Sequence, residues 1–147
     1  MNEFNYISPD EVRITHAKTI KYSGGGTIAE IDFARLEGVL INIQNDDWYP
    51  SFIDKLTHLF YCVCEFHCFA DGNKRLAITL STLFLLKNGY LAVAENFLAK
   101  TENISLNVAA GKINKDLLYK ILTAIINNTY DDDEELKIEV INAISKE

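Results

Sequence analysis

Apolar residues fall three and four apart through Phe52, Leu56, Leu59, Phe60, Val63 and Phe66, a spacing that predicts an amphipathic helix from Ser51. A second hydrophobic stretch, Leu76 to Asn88, is apolar nearly all round, with Thr79, Ser81 and Thr82 its only polar residues before Lys87. That pattern predicts a buried central helix whose first turn begins at about Asn73 to Arg75, with Gly89 as its C′ cap.

The other helices are marked by their ends as much as by their faces. Ser8-Pro9-Asp10-Glu11 supplies an N-cap, a first-turn proline and the partner of a capping box, so a helix is expected from Pro9 to about Tyr22. Val12, Ala17 and Ile20 give it a partial apolar stripe, and Ser23-Gly24-Gly25-Gly26 ends it. His16 reads as a surface residue of that helix. Thr27 to Phe33 alternates only loosely, and both a small β-hairpin flap and an ordinary loop fit it. Asp32 to Asn42 is helical by the spacing of Phe33, Leu36, Val39 and Leu40, and Asn45 to Pro50 is a turn-forming break. Leu91 to Leu98 is ambiguous. Ile104 to Ala110 and Lys115 to Asn127 read as two helices joined at Gly111-Lys112-Ile113-Asn114, with Leu117, Leu118, Ile121, Leu122 and Ile125 toward the core. The acids Asp131 to Glu135 open a last helix edged by Leu136, Val140 and Ile144. The expectation is an all-α, compact domain of about six or seven helices, with or without one small hairpin. Residues 1–130 form its body and 131–147 an acidic helical extension of the same domain.

Composition narrows the function classes. A chain of 147 residues, 48% hydrophobic and 24% charged with two prolines, can bury a core and fits no low-complexity class. A net charge of −7 leaves no basic face for DNA or RNA, so any phosphate binding must be local. With no signal-type start and no apolar run near the roughly 20 residues of a bilayer span, the protein is expected to be cytoplasmic and free of the membrane. Cys62, Cys64 and Cys68 are an odd, closely spaced set and are expected as reduced thiols.

Between the two strongest helices lies His67-Cys68-Phe69-Ala70-Asp71-Gly72-Asn73-Lys74-Arg75. A loop that runs into a helix start presents free backbone N–H groups and partial positive charge, a glycine allows close approach, and Lys74 and Arg75 add full charges. This is a phosphate site by its chemistry. His67 has an imidazole able to take a proton near neutral pH, so its role is general base on a hydroxyl. Asp71 suits Mg²⁺, which prefers one or two carboxylates plus substrate phosphates, and also suits a plain turn cap. Asn73 fits a plain N-cap. Phe69 is a packing anchor.

The nine residues HCFADGNKR resemble the signature of the Fic/Doc family, HxFx(D/E)(G/A)N(G/K)R, at all seven of its fixed positions. Weaker echoes are Ile7-Ser8-Pro9, Tyr22-Ser23-Gly24-Gly25, Tyr49-Pro50-Ser51-Phe52 and Lys87-Asn88-Gly89-Tyr90. The resemblance implies a Fic-like helical fold and an enzyme moving a phosphate-containing group from a nucleotide to a protein hydroxyl. It implies His67 as the base, Asp71 as the metal ligand, and Gly72, Asn73, Lys74 and Arg75 as binders of ATP or another nucleoside triphosphate with Mg²⁺. It also implies a flap near residues 27–33 that docks the target's backbone.

Two departures separate the branches of that family. AMP-transferring Fic proteins carry a glycine where this chain has Lys74 and a second arginine where it has Ile78, whereas Doc-type proteins read NKR. Doc-type proteins are toxins that phosphorylate a translation factor, so phosphate transfer by a toxin is the first expectation and AMP transfer the alternative. Gly72 is the Fic choice, where Doc has alanine. A catalytically weak binding module is the second alternative, and the presence of both His67 and Asp71 speaks against it. The inhibitory pattern (S/T)xxxE(G/N) is not met, because Glu37-Gly38 is preceded by Phe33. A separate antitoxin would then be the partner that restrains it. His58 and Cys62 share a helix face, but Cys64 points elsewhere and structural zinc is not expected. A Cys68 thiol nucleophile ranks low, since the family position after the histidine varies.

Overall fold

The computed structural model describes residues 3–146 and contains seven α-helices: α1 Pro9–Tyr22, α2 Phe33–Asn42, α3 Phe52–Phe66, α4 Asn73–Lys87, α5 Leu91–Ala109, α6 Lys115–Ile126 and α7 Glu134–Ile144. A single 3₁₀ turn, Tyr130–Asp132, precedes α7. Among the described residues there is no strand and no helix long and apolar enough to cross a membrane. The all-α architecture is the one the periodicity predicts.

Helix α4 is the centre, packed by α1, α3 and α5, while α6 covers α3 and α5 and α2 lies on α3. Its residues Leu76, Ala77, Leu80, Phe84 and Leu85 are fully enclosed. Burial of such side chains contributes roughly 1.5–3 kcal/mol each, which is why the apolar stretch outranks any local propensity in setting the fold. Asn88 and Gly89 end the helix, with Gly89 at φ 85° and the Tyr90 N–H returning to Leu85 O at 3.0 Å. This is the glycine stop expected at that position.

Helix α1 runs antiparallel to α4, and three contacts define that pairing. At one end Lys87 Nζ meets Glu11 at 2.7 Å, halfway along Thr19 and Thr79 share a 3.0 Å hydrogen bond, and at the other end Arg75 donates to Ser23 O at 3.3 Å. The capping box at Ser8 and Glu11 is formed. The buried face of α1, however, is Val12, His16, Thr19 and Ile20; Ala17 is exposed and His16 is 1% exposed. Both expectations for this helix face are thereby corrected. The stripe that faces α4 follows the four-residue spacing from Val12 through His16 to Ile20, and Ala17 lies off it.

The segment after the glycines is not a hairpin. Residues 27–32 run extended alongside the 67–75 loop, with Ala70 N–H donating to Ala29 O at 2.9 Å and the N–H groups of Ile31 and Asp32 donating to Cys68 O at 2.9 and 3.1 Å. The partner that a hairpin would have needed within the segment is supplied instead by the loop before α4. Arg13 ties this strap to α1 through Glu30 at 2.8 Å. Asp32 then caps α2 by accepting from Arg35 N–H, and Phe33, Leu36, Val39 and Leu40 are all buried as expected.

Beyond α4 the ambiguous Leu91–Leu98 and the helix expected from Ile104 are one 19-residue helix, α5. Its single core face, through Ala94, Phe97, Thr101, Ile104, Ser105 and Val108, hides two buried hydroxyls that weaken the apolar pattern. Gly111, at φ 77°, turns the chain into α6, which Asn114 caps. Asp133 caps α7, which buries Leu136 and Val140 against α6.

Candidate active site

Helix α3 ends on His67, whose backbone is left-handed at φ 47°, ψ 51°. A non-glycine residue seldom adopts this conformation, and it costs about 1–2 kcal/mol relative to the right-handed region. The side chain is exposed and takes part in no hydrogen bond among the described residues. The next two residues turn inward: Cys68 is 3% and Phe69 1% exposed. Phe69 is sandwiched by Phe33, edge-on at 5.8 Å, and by the His16 ring, stacked at 3.7 Å and 14°. It is the anchor its chemistry suggested.

The loop is held twice at Asp71, once by main chain and once by side chain. Asp71 O accepts a 2.7 Å hydrogen bond from His16 Nε2, and Asp71 Oδ2 accepts one from Thr27 N–H at 3.0 Å. Gly26 makes the second contact attainable: a Cβ there would lie 3.3 Å from Asp71 Oδ2, at a φ of 134° that side chains avoid. Gly72 is constrained in the same way, with φ 79° and Ile20 Cδ1 only 2.7 Å from where a Cβ would stand.

Helix α4 starts at Asn73 with Gly72 as N-cap and no side chain capping it. Asn73 is buried, and its amide faces backward, accepting from Phe69 N–H at 3.2 Å and donating to Phe69 O at 2.8 Å. That side chain shapes the loop, and what Asn73 offers a ligand is its backbone N–H. The N–H groups of Gly72, Asn73, Lys74 and Arg75 have no acceptor among the described residues. Asp71, Gly72, Asn73, Lys74 and Arg75 come together with Ser23, Gly25, Gly26 and Ile20 around a hollow of about 310 Å³. His67 does not line it. Lys74 has no partner there, whereas Arg75 spans to the end of α1.

Ser23, Lys74 and Arg75 also border a larger cleft of about 790 Å³ between α1, α4 and α5, which continues past Thr19, Ile78 and Thr79 to Leu98 and Leu106. The hollow and the cleft therefore share Ser23, Lys74 and Arg75 as a common border. Polar chemistry sits at the α4 start and apolar walls extend from it, the division a nucleotide requires.

For a divalent ion, no group of three His, Cys, Asp or Glu side chains converges among the described residues. Asp71 alone, with Oδ1 unpaired and Oδ2 on Thr27, fits an ion shared with substrate phosphates, the mode Mg²⁺ prefers. The thiols have another setting. Burial pushes Cys62 up to about 11 and Cys64 to about 12, and burial with Asp32 nearby raises Cys68. None is a thiolate near neutral pH. His58 is engaged on α3 by Tyr49 Oη at 3.1 Å and by Lys115 Nζ at 2.7 Å, and burial followed by the Lys115 charge lowers it to about 4.

Sequence reasoning did not find two contributors, His16 and Thr27. The signal for His16 was its place between Val12 and Ile20 on one helix face. Thr27 acts through its main chain, for which residue type gives no signal. No curated protein and no solved structure matches the chain. The model of the Fic/DOC family matches residues 6–85, more than half of the chain and inclusive of α1, the strap, α3 and most of α4. With the loop and the open helix start inside that match, the chain belongs to the Fic/DOC family, whose members are typically transferases.

Proposed function

We propose that the protein transfers the terminal phosphate of a nucleoside triphosphate, ATP in the simplest case, to a hydroxyl on another protein. The observation that carries this reading is the uncapped start of α4, where unpaired N–H groups and the Lys74 charge face one hollow. Such a start binds phosphate oxygens through aligned dipoles and full charge. The nucleoside would occupy the adjoining cleft against Ile78 and Leu98.

In this scheme the target hydroxyl gives its proton to His67 as its oxygen bonds to the terminal phosphorus. The bond from that phosphorus to the bridging oxygen breaks, and a nucleoside diphosphate leaves. Asp71 would hold Mg²⁺, which when bound neutralises charge on the phosphate oxygens. Thr27 fixes the carboxylate for this, and Lys74 and the Gly72 to Arg75 N–H groups orient the phosphates. The strap supplies the target's docking edge: Ile28 and Ile31 are 63% and 68% exposed beside the loop, and the N–H and C=O of Ile28 have no partner among the described residues.

Lys74 favours phosphate over AMP transfer, because a lysine fills space that a glycine would leave to a phosphate and supplies a point charge instead. Ile78, 5% exposed, occupies the place of a second arginine. Gly72 favours the other reading, AMP transfer, since it is the residue of AMP-transferring relatives. The target would be a protein, in the Doc-like case a translation factor, and a separate antitoxin would restrain the enzyme. ATP labelled at the terminal or at the innermost phosphorus, incubated with extract and either the natural protein or His67→Ala, separates the readings. Terminal label on a protein only with the natural enzyme is expected. Innermost label would replace this reading with AMP transfer, and no His67-dependent label from either would end both.

A further inference from the structure

His16 is an enclosed histidine with a defined partner and no place in the transfer scheme. It is 1% exposed, lies flat on Phe69 at 3.7 Å, and directs Nε2 at Asp71 O at 2.7 Å. A carbonyl oxygen only accepts, so Nε2 carries the proton and donates. The consequence follows from the planarity of the peptide. Asp71 C=O and Gly72 N–H belong to one trans unit and point in opposite directions, so a bond that fixes the carbonyl toward α1 fixes that N–H away from it. That N–H has no acceptor among the described residues.

Gly72 is the residue at which this unit could turn over. At φ 79° it sits where glycine is at ease, and glycine is equally at ease at negative φ. A turned peptide would take the Gly72 N–H out of the group of donors and present an oxygen in its place. Thr27 holds the Asp71 side chain but not this peptide unit, and Asn73 holds Phe69. Among the described residues only His16 bonds the Asp71 carbonyl.

We propose that His16 is a positioning residue which latches the Asp71–Gly72 peptide in the orientation that accepts anions. The inference rests on the phosphate-binding reading of the α4 start, and it assigns to α1 a part in forming the phosphate site. His16→Phe keeps the ring on Phe69 and removes the donor, while His16→Gln loses the ring and can return an N–H to the same carbonyl. Titration with pyrophosphate without metal reports on the N–H groups together with the Lys74 and Arg75 charges, which neither variant changes, and melting curves report on packing. His16→Phe should bind pyrophosphate roughly tenfold more weakly than the natural protein, and His16→Gln should come back to within about threefold, the scale of one hydrogen bond. That order should hold whichever variant melts lower. Natural affinity in His16→Phe would overturn the latch and leave the nucleotide reading standing. Equal weakness of the two variants would also overturn it, because an N–H returned to the Asp71 carbonyl would then restore nothing. If the natural protein bound neither pyrophosphate nor Mg-ATP, the phosphate site itself would fall and the latch with it.

Discussion

Helices α3 and α4 follow one another in the chain, are both 15 residues long, and begin in opposite ways. At the start of α3, Ser51 Oγ accepts from Asp54 N–H at 3.1 Å while Asp54 Oδ2 accepts from Ser51 N–H at 3.0 Å, and the acid lies where the helix dipole favours it. The start of α4 has no cap, a left-handed glycine, and two cations in a turn where cations are disfavoured by roughly 0.3–1 kcal/mol each. The first arrangement completes the helix and leaves nothing for a ligand. The second leaves donors and charge unpaired, and an anion would relieve both. Local stability and binding capacity are here alternatives at the same kind of structural position.

The largest expected effect lies between the two helices, at His67. His67→Ala should lower transfer by about 10²- to 10⁴-fold, read as labelled target, while ATP affinity by calorimetry stays near natural. His67→Gly should be as inactive yet more stable by roughly 1 kcal/mol in urea unfolding, because glycine removes the left-handed strain. A destabilised glycine variant would mean that the φ of 47° carries no strain. Next is Gly72→Ala, which meets both a positive φ and Ile20 Cδ1 at 2.7 Å. A loss of about 1–3 kcal/mol in stability is expected, together with ATP binding; retention of full affinity would separate the glycine from the site. Ser51→Ala is the matching change at the sealed start and should cost about 1 kcal/mol with unchanged ATP affinity.

The smallest effect is one of pH. His58, held neutral within α3, has its folded value lowered to about 4 from an ordinary value near 6.5. The unfolded chain therefore binds the extra proton first as pH falls, so this contribution to stability is complete above pH ~6.5 and declines through the window down to about 4. In His58→Gln, urea midpoints measured across that window should slope less steeply than in the natural protein. An unchanged slope would place the acid sensitivity elsewhere.

What could be read from sequence divides along physical lines. Helices α2, α3, α4, α6 and α7 are legible because their apolar faces are local patterns, as in the spacing of Phe52 to Val63, and α1 is legible by its cap at Ser8 and Glu11, although the face it buries differs from the expected one. Helix α5 was half-legible, since Thr101 and Ser105 face the core where the pattern called for apolar residues. The strap could not be read, because its pairing with Cys68 and Ala70 is made by main chain across about 40 positions of sequence. His67, Asp71, Gly72, Lys74 and Arg75 were legible as a cluster in one loop. His16 lies 55 residues from Asp71, and only the packing of α1 on α4 brings them together.

The claim that the open start of α4 is the nucleotide site is tested most directly by following backbone amide resonances while ATP and Mg²⁺ are added. The N–H signals of Gly72, Asn73, Lys74 and Arg75 should move first and furthest, followed by residues of the adjoining cleft such as Ile78 and Leu98, while those of Phe52, Ile53 and Asp54 stay in place. Shifts confined to another face of the molecule, or equal movement at the starts of α3 and α4, would contradict the account.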